Sequence, residues 1–259
     1  MLEKKSKHVP MIFLKNNDEI NKLRACNLIV LEVLDTLESL IKEGISTYEL
    51  DKYAEEMTIK KGAQPAFKGY RGFPASLCIS LNDEVVHGIP SKKRIIKSGD
   101  IVSIDYGVYL HGYYGDSART VGVGNISDEA KKLIRVTREA LDLGIEQCRV
   151  GNRLGDISFA IESHAKKYTF GVVRDFVGHG IGRNLHEDPQ IPNYGAAHSG
   201  LLLQKGMVFA IEPMFNLGTE KVCIQEDEWT AVTLDHSISA HFEHSVAILD
   251  KGPFILSKL

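Results

Sequence analysis

The chain repeats itself at a fixed offset. Gly44 recurs as Gly151, Glu49-Leu50 as Asp156-Ile157, and Gly99-Asp-Ile-Val-Ser-Ile-Asp105 as Gly206-Met-Val-Phe-Ala-Ile-Glu212. Each pair lies 107 residues apart (151 − 44, 156 − 49, 206 − 99). Matched segments at one spacing point to an internal duplication. The 259 residues suffice for one large domain or two fused halves. Around the matched segments the pattern alternates twice between helices and strands. Apolar positions from Ile20 to Ile41 recur at helical spacing, which predicts a helix over 18–43 with Gly44 as its stop. Ser46-Thr-Tyr-Glu49 is a capping box that opens a second helix to about residue 61. Residues 63–126 read as strands and turns. A third helix is expected over about 128–148 with Ser127 as N-cap, and a fourth over roughly 153–168. Strands return from 172 to the end.

Bulk properties narrow the class. Hydrophobic residues make up 43% and charged residues 25%, with a net charge of −3. That is an ordinary globular mix with no pull toward nucleic acid or an anionic membrane. Cys26, Cys78, Cys148 and Cys223 are scattered without a CxxC, so neither a disulfide framework nor a zinc ribbon is expected. The start lacks the long apolar run of a signal peptide, and no segment reaches membrane-spanning length. A cytoplasmic protein is expected. Lys4-Lys5-Ser6-Lys7 reads as a solvated tail, with transient ribosome contact as the sharper alternative.

The chemistry lies in acidic residues placed where strands disfavour them. In Ile101–Leu110 the even positions are all apolar, and Asp105 lies on the other face. With His111-Gly112 as a two-residue hairpin turn, Asp105 falls opposite Ala118 and Asp116 comes to the same face. Diagonal neighbours of this kind are within side-chain reach. Two carboxylates converging there repel unless a cation lies between them. Glu212 ends a strand apolar on both faces, and Glu243 is the one charge entering another apolar strand. With His179 from "GHGIG", the set is two Asp, two Glu and one His. This is too oxygen-rich for structural zinc, but it suits a pair of divalent ions bridged by carboxylates and a water. The glycines at 178, 180 and 182 are read as letting the backbone turn tightly and keeping space clear around His179. They do not form a dinucleotide or P-loop motif.

Taken in order and spacing, "CISLNDEVVHGIP", Asp105…Asp116, "GHGIG", "IEP" and "FEHS" resemble the type I methionine aminopeptidases of peptidase family M24, over about residues 18–250. The resemblance implies an α/β (α+β) pita-bread fold of two pseudo-symmetric halves, with antiparallel sheets covered by helices. Residues 1–17 would be a short extension, and 18–259 a single catalytic domain with halves of about 18–126 and 127–259. It implies metal ligation by Asp105, Asp116, His179, Glu212 and Glu243. Asp116 and Glu243 would bridge two divalent ions (Co, Mn, Fe or Zn), Asp105 would chelate one, and His179 and Glu212 would complete the other. Catalysis would use Glu212, His186 and His87, with both histidines also contacting substrate. A methionine pocket would be lined by Phe67, Tyr70, Phe73, Cys78, Leu185 and Trp229. Three of these differ from frequent bacterial forms: Phe67 stands for cysteine, Phe73 for tyrosine and Leu185 for phenylalanine. His244 is read as structural.

The implied activity is removal of the N-terminal methionine from newly made proteins with small second residues, by attack of a metal-bridging water on the first peptide bond. A monomer with no membrane or specific nucleic-acid partner is expected. Only about 17 residues precede the first helix, so the N-terminal domain of X-Pro-cleaving relatives is not expected. The short span between His179 and Glu212 leaves little room for the insert of type II enzymes. A catalytically dead binding protein would have lost ligands, and all five are present.

Overall fold

The computed structural model describes residues 11–259; the basic Lys4–Lys7 segment lies outside them. Four α-helices occupy the expected places: α1 (Asn17–Leu40), α2 (Thr47–Lys60), α3 (Asp128–Glu146) and α4 (Leu154–Lys166). Their starts follow from local chemistry. Asn16 with Glu19, and Ser46 with Glu49, form reciprocal capping boxes, and the Ser127 hydroxyl accepts the Ala130 N–H. Each satisfies donors that the first helical turn leaves open. The first helix ends earlier than its periodicity predicts. Ile41 is already extended (ψ 112°), because the chain must reach the bridge between Ser46 and Ile95. Gly44 (φ 91°) therefore makes a turn outside the helix instead of capping it.

The strands are β1 (Gln64–Pro65), β2 (Cys78–Leu81), β3 (Glu84–Val86), β4 (Ile101–Leu110) and β5 (Tyr113–Gly122) in the first part of the chain. In the second part come β6 (Gly171–Val172), β7 (Gly178–Gly180), β8 (Glu187–Ile191), β9 (Val208–Ile211) and β10 (Met214–Asn216). They are followed by β11 (Val222–Ile224), β12 (Ala231–Thr233), β13 (Ser239–His241), β14 (Glu243–Leu249) and β15 (Gly252–Ile255). Among the described residues the main sheet runs β1-β4-β5-β14-β9-β7-β8, with β2 on β4 and β15 on β14. All its pairings are antiparallel. The duplication is visible in the fold. The bridge Ser46–Ile95 recurs as Arg153–Leu202, and the left-handed Gly44 and Gly99 recur as Gly151 and Gly206.

The helices cover one face of the main sheet. Val30, Val33, Leu34 and Leu37 of α1, with Leu50 and Ala54 of α2, bury against Val102, Ile104, Tyr106 and Val108 of β4. Leu133, Val136 and Leu141 of α3, with Ile157 and Ile161 of α4, do the same against Phe209, Ile211, Val246 and Ile248. Each such side chain contributes about 1.5–3 kcal/mol. Strand parity then turns the odd-numbered residues of β4 to the opposite face of the sheet.

Candidate functional site

Register alone gathers the candidate ligands on that opposite face. The hairpin forms as the sequence predicts: Asp105 pairs with Ala118, and Gly107 with Asp116. Ala118 also pairs across the other edge of β5 with Glu243 of β14, and Cys78 of β2 pairs with Asp105. Ser245, two residues past Glu243, pairs with Ala210, and Ala210 pairs with His179 of β7. Paired residues share a face, and so do residues two apart. Asp105, Asp116, Glu243, Glu212 and His179 therefore converge, separated by the small Gly107, Ala118, Ser245 and Ala210. Glu212 and Pro213 separate β9 from β10, where Pro cannot donate to a ladder, and Phe242 separates β13 from β14. Glu212 thus lies between strands and Glu243 begins one, and the Asn193 side chain donates to the Glu212 carbonyl at 2.9 Å.

Asp105 Oδ1, Asp116 Oδ1 and Glu243 Oε1 are buried with no hydrogen bond, and among the described residues no Lys or Arg pairs with Asp105, Asp116, Glu212 or Glu243. Ligand atoms of Asp116, His179 and Glu243 all lie within 4.8 Å of one another. Burial pushes the Asp105 carboxyl up to about 7. Burial, and after it the neighbouring carboxylates, pushes Asp116, Glu212 and Glu243 well above the usual range. Such a cluster of unpaired acids is compensated by cations. His179 adds a nitrogen in the right form. Its Nδ1–H donates to the Gly180 carbonyl at 2.8 Å, which leaves the Nε2 lone pair facing Glu212 Oε1 at 3.6 Å. A backbone carbonyl on the far ring nitrogen is the usual orienting partner of a metal-binding histidine. Desolvation keeps this ring neutral by pushing its pKa down to about 4. The donor set fits divalent ions that accept carboxylate and imidazole.

A cavity of about 150 Å³ opens beside this cluster. Its lining brings together every residue named from the sequence: the five candidate ligands, His87 and His186, and Phe67, Tyr70, Phe73, Cys78, Leu185 and Trp229. Tyr70 stacks on His186, and its hydroxyl lies 2.8 Å from His186 Nδ1. The His179 and His186 rings are 4.3 Å apart. Phe73 meets Trp229 edge-on at 5.2 Å. Phe67 has room because Gly107 lies beneath it; a Cβ there would stand 2.6 Å from the Phe67 ring. His87 holds a left-handed backbone (φ 61°), a strained state for a residue with a side chain. Its ring packs edge-on against Phe176 at 5.2 Å. His244 faces away, with Nδ1 2.7 Å from Ser257 Oγ.

One expectation changes. The glycines of "GHGIG" do not make a tight turn around an open space. Gly178 and Gly180 lie in β7, and a Cβ on them would stand 2.5 Å from Ala210 O and 2.3 Å from Asp188 O. They allow backbones to pack closely, which fixes His179 rather than clearing space for it. Just before α1, Lys15 is 8% exposed and its N–H bonds Gly206 O at 2.7 Å. Three residues at the site escaped the sequence reading. Arg71 lines the cavity, Phe176 backs His87, and the buried His241 brings its unpartnered Nε2 to 3.8 Å from Glu212 Oε2. His241 had a signal, since it lies two residues before Glu243.

Comparison with known proteins agrees with this geometry. The profile of Metallopeptidase family M24 matches residues 21–250. The methionine aminopeptidase of Clostridium acetobutylicum is 53% identical over 95% of this chain and 99% of its own length. Methionine aminopeptidase 1 of Bacillus subtilis is 50% identical over 96% and 100%. The crystal structure of the Thermotoga maritima methionine aminopeptidase superposes with a TM-score of 0.95 at 45% identity, covering 96% of this chain and 100% of that one. A Pyrococcus horikoshii prolidase shares the fold alone, at a TM-score of 0.77 and 24% identity. The chain has the pita-bread fold and belongs to metallopeptidase family M24, among its methionine aminopeptidases.

Proposed function

We propose that the chain hydrolyses the first peptide bond of polypeptides that begin with methionine, within one catalytic domain formed by its two halves. The observation that carries this reading is the position of the unpaired acidic cluster. It lines the same small cavity as six apolar and aromatic side chains, so a side chain held among them sets the adjacent peptide bond beside the cluster. A volume of about 150 Å³ is below the roughly 300 Å³ at which drug-sized ligand pockets begin. It suits one side chain. Phe67, Tyr70, Phe73, Cys78, Leu185 and Trp229 would surround a thioether, which packs well against aromatic rings.

Asp105, Asp116, His179, Glu212 and Glu243 would hold two divalent ions. Those ions supply Lewis acidity and a water acidic enough to be a nucleophile at neutral pH. The chain's own groups do the rest. Glu212, just before Pro213, takes a proton and passes it to the leaving amine. His186 donates to the scissile carbonyl oxygen as charge develops there. His87 contacts the scissile nitrogen. A preference for small second residues is part of the same reading.

The test is metal-free protein reconstituted with Mn²⁺, Fe²⁺, Co²⁺ or Zn²⁺ and assayed on peptides varied at positions one and two. Release of methionine ahead of Gly, Ala or Ser, and not ahead of bulky residues, is expected. No release with any ion overturns the assignment.

A further inference from the structure

The loop that carries Leu185 and His186 is held from the other end of the chain. Lys15, 172 positions away, sets its ammonium against the Glu187 carboxylate. Both side chains are almost fully buried, at 6% and 3% exposure. Lys15 contacts Oε2, while Oε1 accepts the backbone N–H of Arg183 at 2.8 Å and of Asn184 at 3.2 Å. This one carboxylate therefore closes the 183–187 turn from inside. The third glycine of "GHGIG" makes room for the pair: a Cβ on Gly182 would stand 2.6 Å from both Glu187 Oε1 and Lys15 Cε. Two other contacts join the same segments, Arg183 to Glu19 Oε1 at 3.1 Å and the Met11 N–H to Asp188 Oδ2 at 3.1 Å. Both involve exposed groups, where such contacts contribute little.

We infer that Lys15 is a positioning residue for the reaction: by compensating Glu187 it keeps Leu185 against the methionine pocket and His186 beside His179. The inference rests on the function proposed above. Without the ammonium, Glu187 is a buried charge with no counterion, and the turn gains by rotating it toward water. Leu185 is 1% exposed and packs in the cluster that includes Phe67, Phe73 and Cys78, so its side chain anchors one side of the turn. The freedom released falls on His186, whose ring has Tyr70 and His179 as neighbours. A displacement of about 1 Å in a catalytic group can cost on the order of a hundredfold in rate. The loss therefore appears in kcat, with KM for a methionyl peptide little changed.

The experiment uses the full metal-loaded chain as Lys15→Met and as the double variant Lys15→Met with Glu187→Gln. Rates are normalised to folded protein by circular dichroism and measured well below each melting temperature. Lys15→Met is expected to lose at least about tenfold in kcat with KM within about twofold. The double variant removes the buried charge, and the Gln carbonyl still accepts both backbone N–H groups. Its kcat is expected to return to within about threefold of wild type. A lowered melting temperature with unchanged kcat per folded molecule would mean that Lys15 is merely structural, and overturns the inference. So does a double variant that folds yet stays as slow as Lys15→Met. If Lys15→Met does not fold, the double variant alone decides. An inactive wild-type chain would instead overturn the proposed function, so the two failures are distinguishable.

Discussion

Removing the charge of Asp105 should stabilise the metal-free protein, and the gain should grow with pH. Burial raises this carboxyl to about 7 from an ordinary 3.8. A folded-state pKa above the unfolded one means that the native chain holds the proton more tightly. The resulting stability is fully present below pH about 3.8 and is lost as pH rises through about 7. Between pH 5 and pH 8 the loss from this one group is roughly 3 kcal/mol. At about 2.1 cal/mol/K per residue, a chain of 259 residues shifts its melting temperature by about 5 °C for that energy. The total curve is not a clean reading. Desolvation lowers His87, His179, His186, His241 and His244 to about 3–4, and their contributions fall away in the opposite direction, as pH drops below about 6.5. The difference between wild type and Asp105→Asn cancels them. Asn stands in for the protonated acid, so in chelator the variant should gain on wild type by about 5 °C from pH 5 to pH 8. Calorimetry at half-unit steps in pH measures this. A flat difference would show that burial does not control this carboxyl, and the account of an electrostatically frustrated site would fail. Saturating divalent metal should reverse the sign, because the variant then lacks a ligand.

The same frustration predicts that metal added to stripped wild type at about a hundred times its Kd contributes about 2.7 kcal/mol, about 5 °C in melting temperature; no shift with any ion in a thermal melt would contradict the ligand set. His186→Ala should lower kcat by about 10²–10³ and leave metal content unchanged, as steady-state kinetics and elemental analysis can show. Gly178→Ala puts a Cβ 2.5 Å from Ala210 O, and should cost about 1–3 kcal/mol in denaturant unfolding although the site for metal contains no new atom. Ser46→Ala removes the acceptor for the Glu49 N–H, and should cost about 1 kcal/mol with activity intact; a neutral result would mean that α2 does not depend on its cap.

Local and periodic features were legible in the sequence. The His111-Gly112 turn sets the hairpin register, and that register puts Asp105 and Asp116 on one face. Caps at Ser46 and Ser127 marked helix starts because they depend on residues three positions away. What could not be read depends on partners distant in sequence. Lys15 looks like a solvated charge until Glu187 appears beside it, and no pattern within the first 20 residues distinguishes the two. The glycines at 178 and 180 resemble a loop by composition, and only Ala210 O and Asp188 O reveal why a side chain is excluded. His241 sits in a strand of three residues, too short to show a period.

The two halves of the main sheet meet along β5 and β14 for only two residue pairs, Ala118 with Glu243 and Ser117 with His244. On the ligand assignment proposed here, Asp105 and Asp116 come from one side of that joint and His179, Glu212 and Glu243 from the other. A chain severed between β5 and α3 would give two fragments, each with an incomplete chelate. Divalent ions would then act as the rivet between them. Reassembly of the fragments should depend on metal, and so reports on the site without any catalytic turnover.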